Sequence, residues 1–274
     1  MSKIPPDLTH MPSNIKQMIV NSSDTETKLC QRALSQEFKL AVDKAPIRYN
    51  GLKMVIFNDL VQISRRITER GYMILLDFWA TSNGYFMTNF EERYEKRMEG
   101  DFRKAAVAKL LSIFKHSKVS VAKLRIEGHF REWHVNNAVV LEEFNRILSQ
   151  KPFQLRIEKL TFDMEANQQQ ILSVLRYLKP ITLKRLELWG PRRRNERLDI
   201  DEIVQTDQWM GLKRVHFYYF EIEISLEKMS HLNNVVIRLA TPPTETIVRI
   251  LEVSFTVVMD LTTKGVSVKY WATG

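Results

Sequence analysis

A four-residue pattern, made of a basic residue, an apolar residue, any residue and a second apolar residue, recurs from residue 123 onward. It occurs at Lys123–Ile126, Lys159–Phe162, Arg185–Leu188 and Arg214–Phe217, and Asn234–Ile237 repeats the apolar spacing without the basic residue. Apolar residues two positions apart are typical of a strand with one buried face. The first apolar positions (124, 160, 186, 215 and 235) lie 36, 26, 29 and 20 residues apart. That spacing leaves room for a returning helix or loop between successive strands.

Segments with helical spacing of apolar residues lie between the predicted strands. Ala138–Leu148 and Gln168–Leu178 are the longer ones, and Ile200–Trp209 and Ser225–Met229 are shorter candidates. The units vary in length and lack the asparagine-bearing consensus of leucine-rich repeats. We therefore predict an α/β fold whose larger part is an irregular, leucine-rich-repeat-like stack of strands and helices.

Stacking these strands in register would place the outward residues in three columns. The first column holds Lys123, Lys159, Arg185 and Arg214, the second Arg125, Thr161, Glu187 and His216, and the third Glu127, Asp163, Trp189 and Tyr218. Stacked basic residues repel one another unless acidic neighbours or a partner neutralise them. Tryptophan, tyrosine and arginine are the residues most enriched in interface hot spots.

The predicted substrate-binding residues are the members of these columns on two neighbouring units: Arg185, Glu187, Trp189, Arg214, His216 and Tyr218. An equally open interpretation is a solvated sheet face, with Trp189 tucked under the loop that follows it.

Two or three short helices are predicted over residues 12–43. Ile15, Met18 and Ile19 lie on one face of a helix that begins near Pro12 or Ser13. Ser23 and Glu26 have the spacing of a capping box for the next helix. Cys30, Leu34, Phe38 and Ala41 then recur at helical spacing, and a buried thiol is expected at Cys30. So small a segment cannot bury much surface alone, so its apolar stripe needs the rest of the chain or a partner.

Residues 46–100 predict strands without predicting their arrangement. Leu52–Ile67 and Tyr72–Phe90 are rich in β-branched and aromatic residues, with turn residues at Asn58–Asp59 and Ser82–Gly84. From Asp101 to His116 the apolar spacing predicts an amphipathic helix whose acidic first residue favours the helix dipole.

Two segments resemble known domains. Residues 8–43 resemble an F-box, with an opening formed by Leu8, Met11, Pro12, Ile15 and Ile19 and a close formed by Leu34, Phe38, Lys39, Val42 and Asp43. Ile171–Pro180, followed by Leu183, Leu186 and Asp207–Trp209, resembles the FTH domain of nematode-type F-box A proteins. The order of the two segments is the order found in that family.

The resemblance implies a substrate-recognition subunit of a cullin-RING ubiquitin ligase, with residues 1–45 as the F-box and residues 46–274 as a strand-rich, FTH-type repeat domain. The F-box would bind the Skp adaptor, and the larger domain would bind a protein substrate. The residues expected to contact the adaptor are Leu8, Pro12, Ile15, Ile19, Leu34 and Phe38. The alternative is a stand-alone repeat-type protein-binding module whose F-box has degenerated.

Composition and motifs bear on the other classes of function. The formal net charge of +9 favours an acidic partner. Pro191–Arg197 carries four arginines, but no nucleic-acid-binding signature accompanies them, which weighs against a nucleic acid partner. The single cysteine excludes internal disulfides and multi-cysteine zinc motifs. Phosphate-loop, nucleophile-elbow and metalloprotease motifs are missing, so we expect no enzymatic activity, cofactor or metal.

The chain also contains no apolar stretch long enough for a membrane span, and its opening Met1–Asp7 lacks the apolar core of a signal peptide. A cytoplasmic or nuclear protein that does not enter a membrane is therefore expected.

Overall fold

The computed structural model describes residues 11–66, 72–114, 118–128, 133–164, 166–190, 196–222, 224, 226–239, 255–262 and 265–272. The helices are α1 (Ser13–Ser22), α2 (Thr25–Gln31), α3 (Gln36–Lys44), α4 (Phe102–Ser112), α5 (Trp133–Leu148), α6 (Gln168–Leu175) and α7 (Asp207–Gly211), with 3₁₀ turns at Ile203–Gln205 and Leu226–Met229. Within these ranges, no helix is both long enough and apolar enough to cross a membrane.

The strands from the first half of the chain are β1 (Ile47–Tyr49), β2 (Leu52–Ile56), β3 (Leu60–Arg66), β4 (Tyr72–Thr81), β5 (Gly84–Asn89), β6 (Tyr94–Met98) and β7 (Val119–Gly128). The strands from the second half are β8 (Arg156–Asp163), β9 (Arg185–Trp189), β10 (Glu196–Leu198), β11 (Arg214–Ile222), β12 (Asn234–Leu239), β13 (Phe255–Thr262) and β14 (Gly265–Ala272).

All of these strands belong to one mixed sheet, in the order β13-β14-β12-β11-β9-β8-β7-β2-β3-β4-β5-β6. β1 also pairs with β7, and β10 with β11. The middle of the sheet, from β12 to β2, is parallel, and both flanks are antiparallel. Parallel neighbours need crossover connections, which the predicted helices supply. The protein is therefore a mixed α/β fold, as predicted.

The strands predicted from the recurring pattern are present and pair in the predicted register. Leu124 lies opposite Leu160, Leu160 opposite Leu186, and Leu186 opposite Val215. Each unit also has a buried apolar residue three positions before its first apolar pattern position. These residues are all at most 1% exposed, and they are Val121, Ile157, Leu183, Leu212 and Leu232. The repeating unit is thus apolar-x-x-apolar-x-apolar, which is longer than the pattern read from the sequence.

The sheet extends beyond the predicted stack on both sides. Tyr49, Leu52 and Met54 have the spacing of the repeating unit, and β2 pairs in parallel with β7, so Leu52 lies opposite Leu124. An antiparallel meander, β3 to β6, then continues the sheet, with turns at the predicted Asn58–Asp59 and Ser82–Gly84. Gly84 adopts φ +132°, and a Cβ there would lie 2.2 Å from the Met98 carbonyl oxygen, so the turn requires glycine.

One apolar core joins the helices to the sheet. It runs from Val20 and Phe38 in the N-terminal helices to Val235 in β12 and includes Phe144 of α5 and Leu175 of α6. The crossover helices cover the face of the sheet to which the apolar pattern residues point. The opposite face is called the open face below.

The N-terminal helices lie close to their predicted positions, although two local expectations are wrong. The cap of α2 is Asp24, whose carboxylate accepts a hydrogen bond from the Thr27 amide at 2.8 Å. Ser23 is not the cap of α2, because it is the C-terminal cap of α1 and its amide donates hydrogen bonds to the carbonyls of Ile19 and Val20. Cys30 is exposed because it lies on the side of α2 away from the core. Whether the three helices have the arrangement of an F-box stays a prediction.

Candidate protein-binding surface

The three predicted columns exist on the open face. Lys123, Lys159, Arg185 and Arg214 are register partners across β7, β8, β9 and β11, and the two further columns follow in the same register. These strands therefore bring together all six predicted substrate-binding residues: Arg185, Glu187, Trp189, Arg214, His216 and Tyr218.

One buried carboxylate, Glu187, neutralises part of the stacked positive charge of the first column. Glu187 is buried and pairs with Lys159 Nζ at 2.7 Å and with Arg185 Nη2 at 2.5 Å. Thr161 Oγ1 donates a further hydrogen bond to Glu187 at 3.1 Å. Burial alone would raise the pKa of Glu187, but Lys159, Arg185 and Thr161 hold it below its usual value. The carboxylate is therefore ionised at neutral pH.

A second group of ion pairs lies on the β2 side of the same face. Glu127 Oε2 is 2.6 Å from Lys53 Nζ, and Arg125 pairs with both Glu127 and Asp163, the latter at 2.6 Å. In the described part of the chain, Lys123 and Arg214 are exposed and have no carboxylate partner. The face consequently consists of a fixed, internally paired layer with two free positive charges.

Trp189 and Tyr218 form a stacked aromatic pair at the end of the third column. Their ring centroids are 4.0 Å apart with the planes inclined by 28°, and both side chains are half-buried. The strand β11 bends directly after this pair, since its register with β12 shifts between His216 and Glu221 and Tyr219 adopts φ +66°. At the end of β9, a Cβ on Gly190 would lie 3.0 Å from the Phe220 ring, so a larger residue there would have to displace that ring.

His216 connects the aromatic pair to the ion pairs. Its Nε2 lies 2.6 Å from Asn234 Oδ1, and its Nδ1 lies 3.0 Å from the Tyr218 hydroxyl. An amide oxygen can only accept, so Nε2 carries the proton and Nδ1 accepts from the hydroxyl. Burial lowers the pKa of His216, and the nearby Arg185 charge lowers it further, against the Asn234 hydrogen bond and Glu187. The imidazole is thus neutral and acts as a structural link.

The predicted adaptor-binding residues divide into three groups. Pro12, Ile15 (38% exposed) and Leu34 (53% exposed) are at the surface, and Ile19 is half-buried. Phe38 is fully buried, because it shares the inner face of α3 with Ala41 and Val42, so we correct its expected role from docking to packing. Leu8 lies outside the described residues.

Sequence reasoning missed two exposed apolar residues beside them. Met18 is 66% exposed and Leu40 is 51% exposed. Leu40 lies on the side of α3 opposite Phe38. Successive helical residues are rotated by about 100°, so a separation of two residues could have predicted that Leu40 faces away from Phe38. In the predicted basic run Pro191–Arg197, residues 191–195 lie outside the described residues, and Arg197 lies in β10.

The arrangement offers no recognisable site for a metal. Within the described ranges, no group of three or more His, Cys, Asp or Glu side chains is placed to hold one.

Comparison with known families matches one segment of the chain. Residues 138–254 match the family model of the FTH domain, which confirms the predicted resemblance over the segment that carries β8, β9, β11 and β12. An F-box in residues 8–43 and the nematode type stay predictions. No curated protein and no solved structure matches the chain.

Proposed function

We propose that this chain, with its FTH domain, is a substrate-recognition subunit of a cullin-RING ubiquitin ligase. The N-terminal helices bind the Skp adaptor, and the open face of the sheet binds a protein substrate. The coarser part of this function rests on the FTH match, which is consistent with a protein-interaction module of the F-box-associated type. The observation that carries the substrate site is the open face itself, where the stacked Trp189 and Tyr218 lie beside registered basic residues.

The open face suits binding because its side chains are already held in place. The ion pairs of Glu187 fix Lys159 and Arg185, and stacking fixes Trp189 against Tyr218. Immobilising a mobile side chain at an interface costs about 0.5–1.5 kcal/mol of conformational entropy, so side chains that are already fixed lose less conformational entropy on binding. The unpaired charges of Lys123 and Arg214 favour an acidic substrate surface, mainly by accelerating encounter and excluding basic partners.

The N-terminal helices suit docking because they expose several large apolar side chains. Ile15, Met18 and Leu34 are all more than one third exposed. Burying such side chains in a groove of the adaptor stabilises a complex by about 25 cal/mol per Å². Phe38 and Val20 pack these helices into the same apolar core as the substrate-binding sheet, so the docking surface and the sheet share one core.

This function requires binding surfaces and no reacting groups. Holding a substrate beside a conjugating enzyme raises the effective concentration of one near the other. A shared core between the two surfaces serves this purpose because it limits where the substrate can lie relative to the adaptor.

The test is direct binding of the purified chain to the purified Skp adaptor, measured by isothermal titration calorimetry. The Ile15→Ala, Leu34→Ala double variant should bind at least about tenfold more weakly. Truncating a residue that contributes substantially to an interface costs more than about 1 kcal/mol of binding free energy, and about 1.4 kcal/mol corresponds to a tenfold change in affinity. Ile181→Ala is the matched control, because Ile181 is an exposed apolar residue (69%) outside these helices. Its affinity should equal that of the wild type.

Absence of adaptor binding by correctly folded wild-type chain would contradict the ligase function. The stand-alone protein-binding module would then be the better description, since the open face does not depend on the adaptor.

A further inference from the structure

The open face continues from the parallel strands onto the meander. Lys53 is the register partner of Arg125, and Val55 is the register partner of Glu127, so both lie on the open face. Across the meander, the same row continues through Gln62, Asp77, Thr88 and Glu95. One partner lying across this face would therefore contact both regions.

The meander exposes an aromatic and aliphatic patch on this face. Trp79 and Phe86 are register partners two residues from Asp77 and Thr88, so they share the open face, and they are 43% and 38% exposed. Tyr72 and Ile74 are exposed to a similar degree. Ile74 is the register partner of Ser64, which lies opposite Lys53, and Lys53 Nζ is 6.0 Å from the Tyr72 ring centroid. The name open-face patch is used below for Tyr72, Ile74, Trp79 and Phe86.

A patch of this composition is unusual on a solvated strand face. Antiparallel sheets that face water on one side normally alternate apolar residues inward with polar residues outward. β3 places the polar side chains of Gln62 and Ser64 on the open face. Tyr72 and Ile74 near one end of β4, and Trp79 and Phe86 near the other, break this alternation. Exposed apolar surface of this kind marks interaction sites.

Charge decides which partner fits the patch. The parallel half of the same face carries the free positive charges of Lys123 and Arg214, and the whole chain has a net charge of +9. Two copies of the chain placed face to face would bring these like charges together, which costs free energy. An acidic partner gains from the same charges, so charge complementarity favours it over a second copy.

We propose that the substrate segment that crosses the open face is bipartite, with an acidic stretch over Lys123 and Arg214 and an apolar stretch over the open-face patch. This inference rests on the proposed function, in which the open face binds the substrate. β4 and β7 are three strand spacings apart in the sheet, and β4 and β11 are six apart. At about 4.8 Å per strand spacing, these distances are roughly 14 and 29 Å. A segment of about 10 to 20 residues spans them, extended or helical.

The test is selection from a phage-displayed library of random 20-residue peptides on the immobilised full-length chain. Wild-type chain should enrich peptides that contain both a run of Asp or Glu and a run of aromatic or aliphatic residues. The Trp79→Ala, Phe86→Ala variant should still enrich the acidic run and lose the apolar run. The Lys123→Ala, Arg214→Ala variant should do the reverse, and Ile181→Ala should behave as wild type.

Three outcomes would overturn the inference. They are enrichment of acidic runs alone by the wild type, survival of the apolar run on the Trp79→Ala, Phe86→Ala variant, and no enrichment by a folded wild-type chain. Enrichment of acidic runs alone would leave the proposed function standing, because that function fails on adaptor binding, which is measured separately on the same preparations.

Folding and self-association need their own controls. Circular dichroism and thermal unfolding establish that each variant is folded, and Phe86→Thr alone serves as a milder substitution because threonine is favourable in strands. Sedimentation velocity over a range of concentrations checks for a second copy on the patch. A wild-type dimer that the Phe86→Thr variant loses would show that the patch joins two copies, and would overturn the proposal.

Discussion

Lys159 and Glu187 form an ion pair across neighbouring parallel strands, with Nζ 2.7 Å from Oε2. The carboxylate is almost completely buried and also holds Arg185. A single acidic residue therefore offsets the repulsion between Lys159 and Arg185 when no partner is bound.

Removing that carboxylate should destabilise the fold. Glu187→Ala leaves Lys159 and Arg185 close together without compensation, and we expect it to lower the free energy of unfolding by about 2–3 kcal/mol. Chemical denaturation measures this change. The matched control is Glu158→Ala, which removes the exposed Arg48–Glu158 pair and should cost less than about 1 kcal/mol. Equal effects of the two substitutions would contradict a central role for Glu187.

The stability of the protein should depend on pH through His216. Burial lowers the pKa of His216 in the folded state, so the unfolded chain binds its proton at a higher pH than the folded chain does. The contribution of His216 is therefore complete above the ordinary imidazole pKa of about 6.5, and it is lost as the pH falls from there through the lowered folded pKa. The loss is at most about 1.4 kcal/mol per pH unit.

Denaturation curves at a series of pH values test this dependence. His216→Gln should flatten the profile below pH of about 6.5, and Glu187 contributes its own loss only at lower pH, where carboxylates titrate. A wild-type profile that is unchanged by His216→Gln would count against the neutral, buried imidazole.

The Trp189–Tyr218 stack should be measurable as a coupling energy. We expect the effects of Trp189→Ala and Tyr218→Ala on the free energy of unfolding to be non-additive by about 0.5–1.5 kcal/mol, the contribution of an aromatic pair beyond its buried area. A double-mutant cycle gives this quantity. Additive effects would mean that the rings contribute by burial alone.

Phe38 and Leu34 should separate packing from docking. Phe38→Ala empties a fully buried position and should lower the free energy of unfolding by about 3–5 kcal/mol. Leu34→Ala, at a position that is 53% exposed, should change it by less than about 0.5 kcal/mol. Thermal and chemical unfolding of the two variants check the difference, and a large loss in Leu34→Ala would show that this side chain belongs to the core.

The strands and their register could be predicted because they depend on local alternation. Each pattern unit has apolar residues two positions apart, and burying them against the helices leaves a single consistent register from β7 to β11. The pairing of β11 with β12 keeps this register as far as His216. The same alternation predicted the columns that contain Trp189 and Tyr218. The FTH resemblance was also carried by contiguous residues, and the family match at residues 138–254 confirms it.

The sequence by itself thus determined which residues alternate, where the turns lie and which helices cross between strands, because these depend on neighbours along the chain. The tertiary structure alone decided that β2 joins β7, that Phe38 faces the core while Leu34 faces solvent, and that Glu187 pairs with Lys159 and Arg185 of the basic column. It also placed Trp79 and Phe86 on the same face as Lys123 and Arg214. The physical reason is that pairing and burial are settled by contacts between distant segments, which compete for the same apolar surface and cannot be read from either segment alone.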